Sequence, residues 1–537
     1  MPEPENARDS TREMTVVVVA WLILAALTIV LANQNLSSPG LYYDEALFGG
    51  LAKDFVTGHA RLHLPGYAVV DFLGRPFPVH ASIYNGALKS WILIPAIALF
   101  GPSVAVLRLT SLLIALVTLL LFMLGVRRWL GLAAALVAGL VLIVDPAYFF
   151  MSVFDWGVSS TSLLCKCGAL YFALIWWQNR KDRYLFFAGI LLGLGVFNKI
   201  DLVAFLTGAG IAAACFYGAE LWTILRNRRR TAVICIIGFL LGFAPMTSGI
   251  FLIVKGTLAG QASSGSGETA EKFHTFLSMY DGSYFYRLME AGGLFANMYA
   301  GPAAIHSLFG FFVVVGIAAL TVIALRRRNR TEARVAGFLL VGFGLTTLLV
   351  FFLPGGVRIH HVAQVFPFPQ LIVAAGFTFF WNVGSTMGIR RVTRIALVVL
   401  LFVLLTTQAR AILKTEKLIA DTGGRGLWSA AFNAFCQENR SRRDLTMVSL
   451  DWGFNEQLAF LTDVQLIEPF WRFEQSLPPL PNEPDNIYLV HAPDCSVFRA
   501  DTLYLNKLQL TSENAEIKPF SNREGRTIFY TIRFRAQ

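Results

Sequence analysis

Two neighbouring carboxylates, Asp44 and Glu45, follow the first long apolar stretch of the chain. Such a pair, placed where a helix leaves a membrane, points to acid–base chemistry at the membrane surface rather than transport. The turn Ser37-Ser38-Pro39-Gly40 precedes them, and an apolar pattern at Leu47, Phe48, Leu51, Phe55 and Val56, ended by Gly58, follows. Spacings of three and four predict a helix lying along the interface. Asp44 falls at its N-cap position and Glu45 suits the helix dipole, so capping is the structural alternative to catalysis. Neighbouring helical residues point about 100° apart, so only one of the two is expected to face a substrate. A third acid, Asp155, at the top of a later apolar stretch, reads as a helix cap or as a group that orients an acceptor or a cation. No cofactor is predicted; a divalent cation stays open, because carboxylates without a fixed spacing are weak metal signals.

Cations and aromatic groups form the second set. Arg75-Pro76-Phe77-Pro78-Val79-His80 is followed by Tyr84 and Lys89, while Arg358, His360 and His361 precede Gln364. Together they could hold a phosphate anion at the membrane boundary. The alternative is that Lys89 and Arg358 snorkel to lipid headgroups. Adjacent histidines are a poor zinc pair, since helical ligands sit three or four apart. Lys166 lies about 12 Å into an apolar helix by helical rise, where it must reach a phosphate, snorkel or meet a buried acid. Lys199 and Asp201 flank a short turn and are expected to form a local ion pair.

The elements that position these groups follow from composition and charge. The 537 residues are 55% hydrophobic and 15% charged, which describes a polytopic α-helical membrane protein. The net charge of +11 sits in short basic clusters between apolar runs, so it marks topology and excludes a nucleic-acid surface. Apolar stretches fall at 15–31, 104–126, 131–149, 158–177, 184–198, 200–218, 231–254, 303–325, 335–353, 362–383 and 393–410. Residues 87–100 are short and contain Lys89 and Pro95. If they stay on the surface, five basic clusters at 127–128, 179–183, 226–230, 326–334 and 390–394 all face the cytoplasm. Eleven spans are therefore predicted, with interfacial helices in a first external loop, 32–103. A long loop, 255–302, shares that outer face; its polar stretch 260–267 reads as lid or linker.

Residues 1–410 thus make a transmembrane core, and 411–537 a small external α/β domain with β-rich runs at 445–450, 486–490 and 527–534 and a helix at 454–461. Cys165, Cys167, Cys215 and Cys235 read as structural thiols, whereas Cys436 and Cys495 could pair in an oxidising compartment.

The order Tyr43-Asp44-Glu45-Ala46, Gly74-Arg75-Pro76-Phe77-Pro78-Val79-His80, Gly86-Ala87-Leu88-Lys89-Ser90-Trp91, Leu99-Phe100-Gly101-Pro102 and Leu107-Arg108-Leu109 resembles the GT-C membrane glycosyltransferases, in the protein mannosyltransferase and aminoarabinose transferase branch. Gly193-Leu194-Gly195-Val196-Phe197-Asn198-Lys199 and His361-Val362-Ala363-Gln364-Val365-Phe366-Pro367 look like later landmarks. The resemblance covers about residues 15–410. It implies a polyprenyl-phosphate-linked sugar donor, an acceptor protein, lipid or glycan, a carboxylate base in the first external loop, and a plasma membrane, bacterial inner-membrane setting. On that reading Asp44 is the base, Glu45 and Asp155 share acceptor contacts, and Arg358, His360, His361, Gln364, Lys89, Lys166, Tyr84 and His80 serve the donor phosphate. His80-Ala81-Ser82 departs from the family pattern, which commonly has a basic residue and two prolines there. A secondary transporter or a non-catalytic receptor or scaffold is the alternative reading.

Overall fold

The computed structural model describes all residues except 1–6, 63–65, 155–157, 259–267, 294–297, 300–304, 327–330, 354–357, 383–386, 470–485, 497–513 and 535–537. Asp155 and the stretch 260–267 therefore lie outside the described residues. Helix α1 (Ala7–Ala32) leads to α2 (Tyr43–Thr57), two hairpins, β1–β2 (Val69–Phe72, Arg75–Pro78) and β3–β4 (His80–Ser82, Asn85–Gly86), and α3 (Leu88–Phe100). Then follow α4 (Val104–Leu130), α5 (Leu132–Ile143), α6 (Pro146–Val153), α7 (Ser159–Asn179), α8 (Asp182–Asn198), α9 (Leu202–Asn227), α10 (Arg229–Phe243) and α11 (Thr247–Leu258). The expected loop 255–302 is partly helical, with α12 (Glu268–Tyr280) and α13 (Tyr284–Ala291). The bundle closes with α14 (Phe309–Arg326), α15 (Thr331–Phe352), α16 (Ile359–Val362), α17 (Phe368–Trp381) and α18 (Met387–Thr422).

Among the described residues, eight helical stretches are long and apolar enough to cross a membrane, or nine if α5 and α6, bent by 63°, count as one. The expected eleven also includes α7 and α8. Helix α8 has only 17 residues, and α7 opens on Ser160, Thr161 and Ser162 and holds Lys166, all buried against protein. Those polar groups lower its hydropathy because it faces neighbours more than lipid. Helix α3 has 13 residues, about 20 Å by helical rise and too short for a core of about 30 Å. Its exposed tip, Leu99 and Phe100, fits a helix at an interface.

Helix α18 does not stop at residue 410. It runs unbroken to Thr422 and turns at Gly423 and Gly424, both with positive φ, before the small C-terminal domain. That domain holds α19 (Ala431–Glu438), β5 (Thr446–Ser449), α20 (Asn455–Leu461), β6 (Gln465–Ile467), β7 (Asn486–His491), β8 (Ala515–Ser521) and β9 (Thr527–Phe534). Its mixed sheet has the order β6-β5-β7-β9-β8, parallel on the β6-β5-β7 side and antiparallel on the other. Cys436 and Cys495 are buried free thiols, not a disulfide.

This domain shares a core with α2. Leu47, Phe48 and Leu51 of α2 cluster with Leu93 and Ile97 of α3 and with Phe432, Phe454, Leu458, Phe460 and Phe529 of the domain. Each such side chain contributes roughly 1.5–3 kcal/mol by leaving water. The approach is close enough to demand glycine: a Cβ at Gly49 would lie 2.9 Å from the Phe460 ring. Polar groups close the seam. Lys53 is buried, donates to the carbonyls of Ala459 and Thr462, and pairs with Asp463 at 3.1 Å. Asp54 accepts from the Arg61 and Leu62 amides at 2.9 and 3.2 Å.

Burial pushes the Asp54 carboxyl up to about 6, and burial, helped by the Arg61 charge, pushes the Lys53 ammonium down to about 8. A raised carboxyl favours the folded state when protonated, so its contribution grows as pH falls from about 6 to the ordinary 3.8. A lowered lysine has the opposite sense: its contribution is present above 10.5 and is lost as pH falls through about 8. Thermal unfolding of Asp54→Asn in detergent is expected to lose the gain between pH 6 and 4 while keeping the loss around pH 8.

Candidate active site

At the N-terminus of α2 the two carboxylates have separate fates. Tyr42, not Asp44, is the N-cap residue, and the Tyr42 amide donates to Glu45 Oε2 at 3.0 Å. Glu45 is buried and forms a two-pronged pair with Arg108 of α4, Oε1 to Nε at 3.0 Å and Oε2 to Nη2 at 3.1 Å. With both oxygens engaged, Glu45 anchors α2 to α4. Arg108 also donates to the carbonyls of Leu36 and Gly40 and lies over the Phe154 ring at 5.3 Å. One guanidinium therefore ties the loop after α1, the start of α2 and the end of α6 together.

Asp44 is half-buried on another side of the helix. Its charge acts on Tyr42, Tyr43, Tyr84, Lys199 and Glu456. Tyr84 is strapped to the turn between α8 and α9, where its carbonyl accepts from the Ile200 amide at 3.2 Å. In that turn Lys199 pairs with Asp201 at 3.5 Å, and His361 Nδ1 lies 2.5 Å from the same carboxylate. Burial alone would raise the Asp201 carboxyl, but Lys199 and His361 outweigh it and hold it below the carboxylate range. Burial pulls the Lys199 ammonium down, partly offset by Asp201 and Asp44. The local ion pair expected from sequence is thus one part of a larger cluster.

Arg358 completes the cluster from the N-cap of α16. It bonds the Tyr284 hydroxyl of α13 and acts on Tyr299, His360 and Tyr42. Burial and the Asp44 charge push the Tyr42 hydroxyl up while Arg358 pulls it down. Tyr42 therefore feels both the acid and the cation. Lys272, Tyr284, Tyr299 and Glu456 join this neighbourhood without having been singled out in the sequence. They lie in a loop and a tail with no spacing signal of their own.

Other expected residues are placed elsewhere. His80 is fully buried, with Nε2 2.8 Å from Ser248 Oγ and its ring edge against Phe197, so it braces β3 on α11. Lys89 is fully buried and donates to Ser111 and Ser160 at 2.5 and 3.4 Å, locking α3 to α4 and α7. Lys166 donates to the Gln364 and Phe366 carbonyls at 2.9 and 3.2 Å and lies over Phe205 at 4.8 Å, instead of snorkelling or meeting an acid. With His360 and Gln364 it lines a small pocket beneath α16. Among the described residues no group of three or more His, Cys, Asp or Glu side chains is arranged to hold a metal ion.

Residues 86–248 match the family described as dolichyl-phosphate-mannose-protein mannosyltransferase. The fold is similar to that of ArnT from Cupriavidus metallidurans, solved bound to undecaprenyl phosphate, with a TM-score of 0.55 at 14% identity over 95% of this chain and 97% of that one. It is also similar to the Archaeoglobus fulgidus oligosaccharyltransferase tethered to an acceptor peptide, with a TM-score of 0.53 at 12% identity over 94% of this chain and 69% of that one. The archaeal oligosaccharyltransferase AglB from Archaeoglobus fulgidus, in complex with an inhibitory peptide and a dolichol-phosphate, gives 0.51 at 13% identity over 94% of this chain and 69% of that one. No curated protein matches the chain by sequence. The chain has the GT-C glycosyltransferase fold.

Arg108→Met strands the Glu45 charge in a buried site and is expected to cost about 3–5 kcal/mol. Adding Glu45→Gln to that variant removes the orphaned charge and is expected to recover part of the loss, read as coupling in a double-mutant cycle of detergent unfolding.

Proposed function

We propose that this chain, on its GT-C fold, transfers a sugar from a polyprenyl-phosphate donor to an acceptor hydroxyl at the outer face of the plasma membrane. What supports the reading is that the Asp44 charge acts on Tyr42, Tyr84 and Lys199, and that Arg358 acts on the same Tyr42. A carboxylate with cations in its neighbourhood suits a reaction that removes a proton from one group and releases a phosphate from another. ArnT, solved bound to undecaprenyl phosphate, and AglB, solved in complex with a dolichol-phosphate, support a lipid phosphate as the leaving group.

In the proposed step the acceptor oxygen attacks the anomeric carbon as its proton passes to Asp44. The bond from that carbon to the phosphate oxygen breaks, and its electron pair leaves with the polyprenyl phosphate. Arg358, anchored on Tyr284, and Lys199, set by Asp201 and His361, stabilise the developing negative charge. A single displacement inverts the anomeric configuration. Glu45 takes no proton in this scheme; its pair with Arg108 holds the helix that presents Asp44. The basic clusters between the helices favour an outer active face by the positive-inside rule. The reading leaves both hexose and pentose donors open.

Release of free polyprenyl phosphate from a labelled lipid-linked sugar measures the step directly. Asp44→Asn is expected to lower that release by about 10²–10⁴-fold with unchanged expression and unfolding, and Arg358→Gln to lower it through the leaving group. Full activity in Asp44→Asn would falsify the assignment. If a chelator abolishes release and a divalent cation restores it, a metal supplies part of the charge stabilisation assigned to Arg358 and Lys199.

A further inference from the structure

The end of α3 brings an apolar tip and a basic turn together beside a membrane-crossing helix. Leu99 and Phe100 close α3, and each is 76% exposed. Only Gly101, Pro102 and Ser103 separate them from α4, which is long and apolar enough to cross a membrane. The tip therefore stands where a span enters the bilayer, at the depth where headgroups meet acyl chains.

The C-terminal domain reaches the same point. Between α19 and β5 the chain turns through Asn439-Arg440-Ser441-Arg442-Arg443-Asp444. Arg440 Nη2 donates to the Pro102 carbonyl at 3.3 Å, and a Cβ at Gly101 would lie 3.8 Å from the same nitrogen. The turn is braced from behind. The Asp463 amide donates to the Arg440 carbonyl at 2.8 Å, and Asn439 Nδ2 donates to the Phe435 carbonyl at 2.9 Å.

One of the three guanidiniums is neutralised within the turn. Arg442 is matched by Asp444, through Nε at 3.0 Å and Nη2 at 2.7 Å. Arg443, its side chain 83% exposed, reaches only Asp463, at 3.8 Å, and Lys53 already holds that carboxylate at 3.1 Å. Arg440 pairs with no carboxylate among the described residues; its side chain bonds a neutral carbonyl. Guanidinium forks suit phosphate oxygens.

A soluble anion would leave Leu99 and Phe100 in water, and a zwitterionic headgroup would bring a cation toward the arginines. An anionic phospholipid satisfies both halves. We propose that this edge seats one, its phosphate on Arg440 and Arg443 and its acyl chains against Leu99 and Phe100, in the leaflet on the domain's side of the membrane. The lipid then fastens the C-terminal domain to the bilayer beside α4. The inference rests on α4 as a span and is independent of the transferase reading.

A dye at the tip tests it in the full-length protein. Cys215 and Cys235 are replaced by alanine, and Leu99→Cys carries an NBD fluorophore in phosphatidylcholine nanodiscs. Quenching by phosphatidylglycerol bearing a doxyl group on its acyl chain is compared with quenching by doxyl phosphatidylcholine at equal mole fraction. Both lipids are expected to quench, with phosphatidylglycerol preferred about fivefold for each arginine. Arg443→Gln is expected to lower that preference about fivefold, and Arg440→Gln with Arg443→Gln to bring it to about one, at unchanged thermal unfolding. Arg443 makes no bond that folding needs, so the single variant reads the charge even where the double variant unfolds. Three results overturn the proposal. Neither lipid quenches, which places the tip in water or against a protein such as a second copy of this chain; both quench equally in the unsubstituted turn; or the preference survives Arg443→Gln undiminished.

Discussion

The pair between Glu45 and Arg108 is the contact on which the arrangement of the site depends. Taking both charges out of water is costly, and it is tolerated here because the geometry is two-pronged and two further carbonyls use the remaining guanidinium donors. The contact fixes the rotation of α2 about its axis. With Glu45 turned to α4, the next residue back is turned by about 100° toward Tyr84 and Lys199. Two adjacent acids that look equivalent in the sequence thereby face different neighbours, Glu45 toward Arg108 and Asp44 toward Tyr84 and Lys199.

The second constraint is the continuity between α2 and the C-terminal domain. Segment 40–43 is gripped on both sides: Gly40 donates to the Trp428 carbonyl, Leu41 bonds Asn433 and Gln457, and Tyr42 and Tyr43 stack on Trp428 and Trp452. A side chain at position 40 would collide with the Ser429 carbonyl, its Cβ falling 2.2 Å away. The domain is therefore part of the wall around Asp44.

Much of this was legible in the sequence. Apolar runs and basic clusters located the helices, and the pattern Leu47, Phe48, Leu51 ending at Gly58 located α2. What stayed hidden depends on contacts across hundreds of residues. Nothing near Lys53 or Arg61 signals the carbonyls of α20 that receive them. The buried charges of Lys89 and Lys166 read as anion-binding groups because a sequence shows the charge and not the hydroxyls or carbonyls that satisfy it. Asp44 was assigned the cap because its type suits one, whereas Glu45 three residues after Tyr42 could reach back to the free amide.

The wall that the tail builds around segment 40–43 also sets a timetable. The first helices enter the membrane early in synthesis, yet Trp428, Trp452, Gln457 and Phe460, which complete their surroundings, are made roughly 390 to 420 residues later. The contacts that finish the reactive end of α2 are among the most distant in sequence and close last. A nascent chain thus carries segment 40–43 long before the residues that close around it are made.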